Sequence, residues 1–197
     1  SAGDFRNDLI VRGGSPAENL FMLEWIPLPG LSHFGSQNSS GGGYFGLLDS
    51  RLIKTIDFFS GGFPAAFGDK LSSVTRVSLR EGNRARVGGS AYFSLLGLSA
   101  SAEGPLLGGK GSWLAAVRKD YFFAVPKDMT LELQVMPELF DAQAKAVVDL
   151  SKRLQLAVLG LAGADSIRIE EADEPPARRM TIDFKDHTYV GGATLKW

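Results

Sequence analysis

A change of sequence pattern near residue 83 constrains this chain more than any other feature. Residues 55–59 are β-branched and aromatic, which favours a strand, and Gly61 and Gly62 interrupt it. Residues 73–80 then alternate with a period of two, as a second strand does. The polar run EGNRAR, residues 81–86, ends this stretch. The sequence therefore predicts a strand, a glycine-rich corner, a second strand, and a boundary between two differently patterned parts of the chain.

Beyond the boundary, period-two alternation recurs in segments that are separated by turn residues. Helix formers are frequent in residues 140–150, but the strict alternation there favours a strand. The expected turns near residues 108–111 and 152–154 are short, whereas residues 125–138 and 170–179 form longer, proline-bearing loops. We therefore expect an antiparallel β-meander of about six strands that pair in sequence order. The alternating segments are residues 84–94, 98–103, 113–123, 140–150, 156–169 and 181–197.

Composition narrows the classes of protein to which the chain can belong. Its 24 glycines in 197 residues favour a β protein rich in corners. The near balance of 21 Lys and Arg against 22 Asp and Glu leaves no basic field for nucleic acid. Without cysteine, neither disulfides nor thiolate metal sites can form, and a cell-envelope location is permitted. No apolar run reaches the ~18–20 residues of a transmembrane helix, although barrel strands need only about 9–11.

The first part of the chain is predicted to be a globule of short strands with little helix. Residues 9–11 and 19–26 are strand candidates, and prolines end the second of them. Residues 47–54 fit a short helical turn that Asp49 or Ser50 caps. The irregular segment GLSHFGSQNSSGGGYF, residues 30–45, is too long to be an ordinary connection in a compact domain. It is either a functional loop or a flexible connector.

Motifs of catalysis are absent from the sequence. The two histidines, His33 and His187, are far apart, and there is no zinc-protease, nucleophile-elbow, P-loop or dinucleotide-binding motif. The run GGKGS, residues 108–112, lacks the spacing of a phosphate loop and fits a hairpin turn. We therefore expect no enzymatic activity, no cofactor and no metal site.

Three motifs together resemble the plug of a TonB-dependent outer-membrane receptor. They are DLIVRGG at residues 8–14, the strand candidate at residues 19–26, and the corner GFPAAFG at residues 62–68, which LSSV follows at 71–74. The chain departs from the family at Glu24-Trp25, where Asp-Gly is usual, and at Ser60-Gly61, where many members have Arg-Gly. The resemblance implies a plug domain over residues 1–83 and the first strands of a transmembrane β-barrel over residues 84–197. Since no signal peptide begins the chain, we expect a cut or partial receptor.

The resemblance also implies a function. Such receptors lie in the bacterial outer membrane, contact its lipid, and import a scarce small ligand or oligomeric nutrient. A TonB-type energy-coupling protein pulls on the plug through an N-terminal segment, which would precede Ser1. Residues 30–45 would be an apical loop that contacts the ligand, with His33, Phe34, Gln37 and Tyr44 as candidate ligand-binding residues.

A plug–barrel contact is expected between Arg12 and Glu103. A carboxylate at Glu103 would be costly on a lipid-facing side, so it should point inward and attract a cation. Arginine suits a carboxylate because its planar fork binds both oxygens. The alternative for the whole chain is a soluble or periplasmic β-rich binding module without transport activity.

Overall fold

A computed structural model describes residues 9–33, 46–64, 66–68, 70–95, 97–121, 134–171 and 180–197. Within these ranges the protein is mainly β, with a four-stranded sheet followed by a six-stranded sheet and three short 3₁₀ segments. The strands are β1 (Asn19–Leu23), β2 (Ile26–Leu28), β3 (Ile53–Phe59), β4 (Ser73–Leu79), β5 (Gly88–Ser94), β6 (Gly97–Leu106), β7 (Gly111–Tyr121), β8 (Gln134–Asp149), β9 (Gln155–Glu171) and β10 (Met180–Lys196).

The first sheet has the strand order β2-β1-β4-β3. Strand β1 pairs in parallel with β4, and the other two pairings are antiparallel. The single strand expected over residues 19–26 is instead a hairpin that turns at Glu24 and Trp25. Glu24 has a positive φ of 57°, which breaks the extended backbone. The buried carboxylate of Glu24 is bound by residues outside the hairpin, so the local sequence pattern does not predict this turn.

The helical turn expected before β3 is confirmed as a 3₁₀ segment, Ser50–Leu52. The Asp49 side chain accepts a hydrogen bond from the Arg51 backbone N–H at 3.0 Å, so it acts as the N-cap. Leu52 is buried in the main core, as predicted. The capping residue therefore fixes where the chain enters the long strand β3.

The second sheet confirms the predicted meander. Strands β5 to β10 lie in sequence order, and every neighbouring pair is antiparallel. Residues 107–110 join β6 to β7 with Gly108 and Gly109 at positive φ, and residues 150–154 join β8 to β9. Strand β8 begins at Gln134, inside the stretch that was expected to be a loop up to residue 138. Residues 140–149 form a strand that pairs regularly with both of its neighbours, as the alternating pattern predicts.

The second sheet exposes apolar side chains on its outer face and buries charged and polar ones, among apolar residues, on its inner face. On β8, Asp141, Gln143 and Lys145 are buried toward the first sheet, while Phe140 and Ala144 are exposed. The same outward exposure holds for Val117 on β7 and Val158 on β9. A sheet with one wet face normally buries its apolar side chains and exposes its polar ones. Within the described ranges, no helix is both long and apolar enough to cross a membrane.

One hydrophobic core joins the two sheets. Its buried residues come from the first sheet and its connections (Phe21, Leu23, Leu28, Leu47, Leu52, Val77, Leu79) and from the second sheet (Leu114, Ala116, Leu159, Leu161). A smaller cluster of Met22, Phe67 and Val74 covers the opposite face of the first sheet. The connection between the sheets also lies close, because a Cβ at Gly82 would overlap the backbone carbonyl of Trp113.

Candidate functional site

Backbone contacts join the residues on either side of segment 34–45. Ser32 and Gly46 form an antiparallel bridge, and the Leu47 N–H donates to the Leu31 carbonyl at 2.8 Å. Both ends of the segment therefore start from one point, which faces the inner surface of the second sheet. His33 lies at this point and is almost completely buried.

The His33 ring lies between two carboxylates from neighbouring strands. Its Nε2 is 3.2 Å from Oδ2 of Asp141 on β8, and its Nδ1 contacts Oδ1 of Asp165 on β9. Burial acts to lower the pKa of His33, but the hydrogen bonds and the negative charges of the two aspartates raise it to about 9. His33 is therefore a buried imidazolium at neutral pH, and both of its nitrogens donate.

Arg118 on β7 extends this network and binds the other end of the loop base. Its Nε and Nη2 donate to Oδ2 of Asp141 at 2.9 Å and 2.7 Å, and Nη2 also donates to the Gly46 carbonyl. Gln143 Nε2 donates to the Leu47 carbonyl at 3.1 Å. Three adjacent strands therefore fix the base of segment 34–45 to the wall that the second sheet forms.

A cavity of about 560 Å³ lies beside this network. His33 and Asp165 line one side of it, and Asp186 and Thr188 of β10 line another. Its volume is within the range of small-molecule sites, and its charged lining residues come from the second sheet and from the connections of the first. No cluster in the described ranges has the three or more ligating side chains that a metal ion would need.

A second buried ion pair joins the sheets nearer the short turns. Lys145 Nζ on β8 donates at 2.6 Å both to Oε1 of Glu24 and to the Leu79 carbonyl. The same Glu24 oxygen accepts from the Leu79 N–H at 3.1 Å. Because both charges are buried, either one left alone would cost about 3–5 kcal/mol. The pair therefore ties the β1–β2 turn to β4 and to the inner face of β8.

Two further arginines of the first part reach β6. Arg51 Nη2 donates to Ser99 Oγ at 2.8 Å, and Arg80 Nη1 donates to Oε2 of Glu103 at 2.5 Å. Glu103 thus points inward and meets a cation, but that cation is Arg80 and not Arg12. The Arg12 guanidinium lies against Gly61, where a Cβ would come within 2.5 Å of its Nη1. Arg80 directly follows the end of β4, and its side chain extends to Glu103 on β6.

The other predicted site residues are placed as follows. His33 belongs to the network and also borders the cavity, although both of its nitrogens already bind carboxylates. Phe34, Gln37 and Tyr44 lie outside the described residues. The network residues that sequence reasoning did not select are Glu24, Arg118, Asp141, Lys145 and Asp165. Four of these are polar side chains at inward positions of strands whose outward positions are mostly apolar, whereas Glu24 lies in a turn and has no such signal.

The chain matches no protein-family model, and a search of curated proteins found no match.

Proposed function

We propose that this chain is the plug and the first barrel strands of a ligand-importing receptor of the TonB-dependent type, located in the bacterial outer membrane. Residues 1–83 would be the plug, and residues 84–197 the beginning of the barrel wall. The observation that carries the proposal is that the second sheet exposes apolar side chains such as Val117, Phe140 and Val158 on its outer face, while it buries Asp141, Lys145 and Asp165 toward the first sheet. That is the pattern of an outer-membrane barrel, which has lipid outside and a polar interior.

Strand length and connections support the same proposal. Strands β8, β9 and β10 have 16, 17 and 17 residues, more than the ~9–11 that a tilted strand needs to cross a bilayer. The described turns at 107–110 and 150–154 are short and lie at one end of the sheet. At the other end, the connection between β5 and β6 has only two residues, whereas those after β7 and β9 are longer and span residues 122–133 and 172–179. Short turns on one side and long loops on the other are typical of barrels in the outer membrane.

In this proposal the ion pairs hold the plug closed against the wall. The His33 network fixes the base of segment 34–45, where an imported nutrient would bind, next to the cavity of about 560 Å³. A TonB-type partner would pull on the first sheet. Movement of the first sheet would separate Glu24 from Lys145 and Arg80 from Glu103. The chain would transport without enzymatic chemistry.

A soluble or periplasmic β-rich binding module is the second candidate. One observation favours it: the inner face of the second sheet also buries Leu114, Leu159 and Leu161 against the first sheet, as in a two-layer β protein. This candidate leaves unexplained why Phe93, Val117 and Leu195 are exposed on the opposite face.

Depth-dependent fluorescence quenching separates the two candidates. Trp113 lies on the outer face, where its indole covers Gly104, whereas Trp25 lies on the first sheet and stacks on Phe67. A Trp113-only variant (Trp25→Phe, Trp197→Phe) and a Trp25-only variant (Trp113→Phe, Trp197→Phe) are refolded into vesicles of phosphatidylcholine brominated on its acyl chains. We expect quenching of Trp113 and none of Trp25. Equal quenching of both, or a chain that stays in the aqueous fraction, would contradict the proposal.

A further inference from the structure

The short-turn end of the second sheet carries a group of exposed basic residues, which we name the basic rim: Lys110, Lys152, Arg153 and Lys196. They surround one groove of about 630 Å³ between the β8–β9 turn and the end of β10. Within the described ranges, none of the four makes an ion pair. The carboxylate of the groove, Asp149, is bound by Arg84, so it does not neutralise the rim.

An apolar row lies directly above the basic rim on the outer face. Leu195 is opposite Leu156, and Leu156 is opposite Val148, so the three form one rung across β10, β9 and β8. Their side chains point outward, on the same face of the sheet as Ala193, Val158 and Ala146 of the same strands. Toward the turns, the exposed Leu150 and Trp197 follow this rung, and they line the same groove as the cations of the rim. Apolar side chains followed by cations match the order of acyl chains and phosphates in a lipid monolayer.

We propose that the basic rim binds the phosphate groups of anionic phospholipids on the membrane face at the short-turn side. This inference rests on the proposed function, because it takes the apolar outer face to lie in lipid. Lys and Arg side chains near a strand end can lay their stems on apolar surface and extend their charges to the phosphates. An acidic protein would also bind the charges, but it would not explain why the apolar rung continues to the edge of the rim.

The test compares vesicles of phosphatidylcholine alone with vesicles of an equimolar mixture of phosphatidylcholine and phosphatidylglycerol. Flotation gives the partition coefficient of the 197-residue chain for each. The variant Lys152→Gln with Arg153→Gln removes two charges of the rim. Its matched control, Lys119→Gln with Lys185→Gln, removes two charges from outward positions away from the short turns.

We expect the rim variant to lower the preference for phosphatidylglycerol about 30-fold, which is about 2 kcal/mol, because each Lys or Arg near an anionic surface contributes about 1 kcal/mol. The control should change the preference little, and high salt should remove it from the unmodified chain. An unchanged preference in the rim variant, or an equal loss in the control, would overturn the inference.

The remaining outcomes are also decisive. A chain that floats equally well with both vesicles supports the proposed function and overturns the lipid site alone. A chain that floats with neither overturns both. If soluble polyglutamate binds the unmodified chain but not the rim variant, and the vesicle preference of the variant is unchanged, the rim belongs to an acidic protein and the lipid proposal fails.

Discussion

His33 carries a positive charge at a place where burial alone would remove it. Asp141 and Asp165 outweigh the burial and raise its pKa to about 9. The pKa is thus higher in the folded chain than the ordinary value of 6.5. The folded state then binds the proton more tightly than the unfolded state does, which stabilises the fold wherever the proton is present. This contribution is complete below pH 6.5 and is lost as the pH rises through 9.

We therefore expect the substitution His33→Gln to have a pH-dependent effect. Below pH 6.5 it should lower the free energy of unfolding by up to about 3 kcal/mol more than it does above pH 9. Urea titrations at a series of pH values measure the difference between variant and unmodified chain. His187→Gln, at an exposed position on the outer face of β10, is the matched control for the loss of an imidazole. A constant difference for His33→Gln would show that the imidazolium does not stabilise the fold.

At the residue scale, the sequence predicted which side chains form charged contacts better than it predicted the residues that they contact. It correctly expected Glu103 to point inward toward a cation, but the cation in the structure is Arg80. It selected His33 without its two aspartates, which lie 108 and 132 positions later in the chain. Such pairs depend on the register between strands and on how the first sheet sits on the second. Neither is encoded in a local pattern.

At the scale of elements, the long strands were predictable because their alternation is nearly uninterrupted. From Phe140 in β8 to Leu150 directly after it, six small or apolar residues alternate with positions that are polar except for Val147, and this pattern outweighed the helix propensity of Ala, Gln and Lys. The β1–β2 hairpin was not predictable. Its turn at Glu24 lacks glycine or asparagine, and a buried lysine from β8 stabilises the carboxylate there.

The outer face of β8 gives a prediction for an element. Ala144 lies opposite Ala115 on β7 and Gly160 on β9, in the middle of an outward-facing surface of small residues. In a lipid-facing barrel, Ala144→Arg should cost about 2–4 kcal/mol of stability in phosphatidylcholine vesicles, because the charge would lie near the bilayer midplane. Urea unfolding of the vesicle-inserted chain measures this cost.

The control for this substitution is Ala66→Arg, at an exposed position in the corner before β4. There the same side chain should change the free energy of unfolding by no more than about 0.5 kcal/mol. If Ala144→Arg proves as harmless as the control, the outer face is in contact with water and not with lipid.

At the scale of the whole molecule, the two sheets share their interior. The sequence pattern changes near residue 83, and the first sheet ends and the second begins at the same place, between β4 and β5. The main core nevertheless contains side chains from both sheets, and the ion pairs of Glu24 and Glu103 cross between them. The change of sequence pattern locates the boundary between the sheets, but it does not show whether the two sheets share one core. That depends on long-range packing, which period-two patterns leave open.

A common core predicts that the sheets unfold together. Leu159 on β9 is buried in that core, so Leu159→Ala should lower the free energy of unfolding by about 2–5 kcal/mol. In the single-tryptophan variants, the fluorescence of Trp25 reports unfolding of the first sheet and that of Trp113 reports unfolding of the second. Leu159→Ala should lower both urea midpoints by the same amount. Leu195→Ala, at the exposed outer end of β10, should shift neither in detergent solution. A midpoint that falls for Trp113 and stays for Trp25 would mean that the first sheet is stable without the wall, and that the contacts between the sheets bind two independent units.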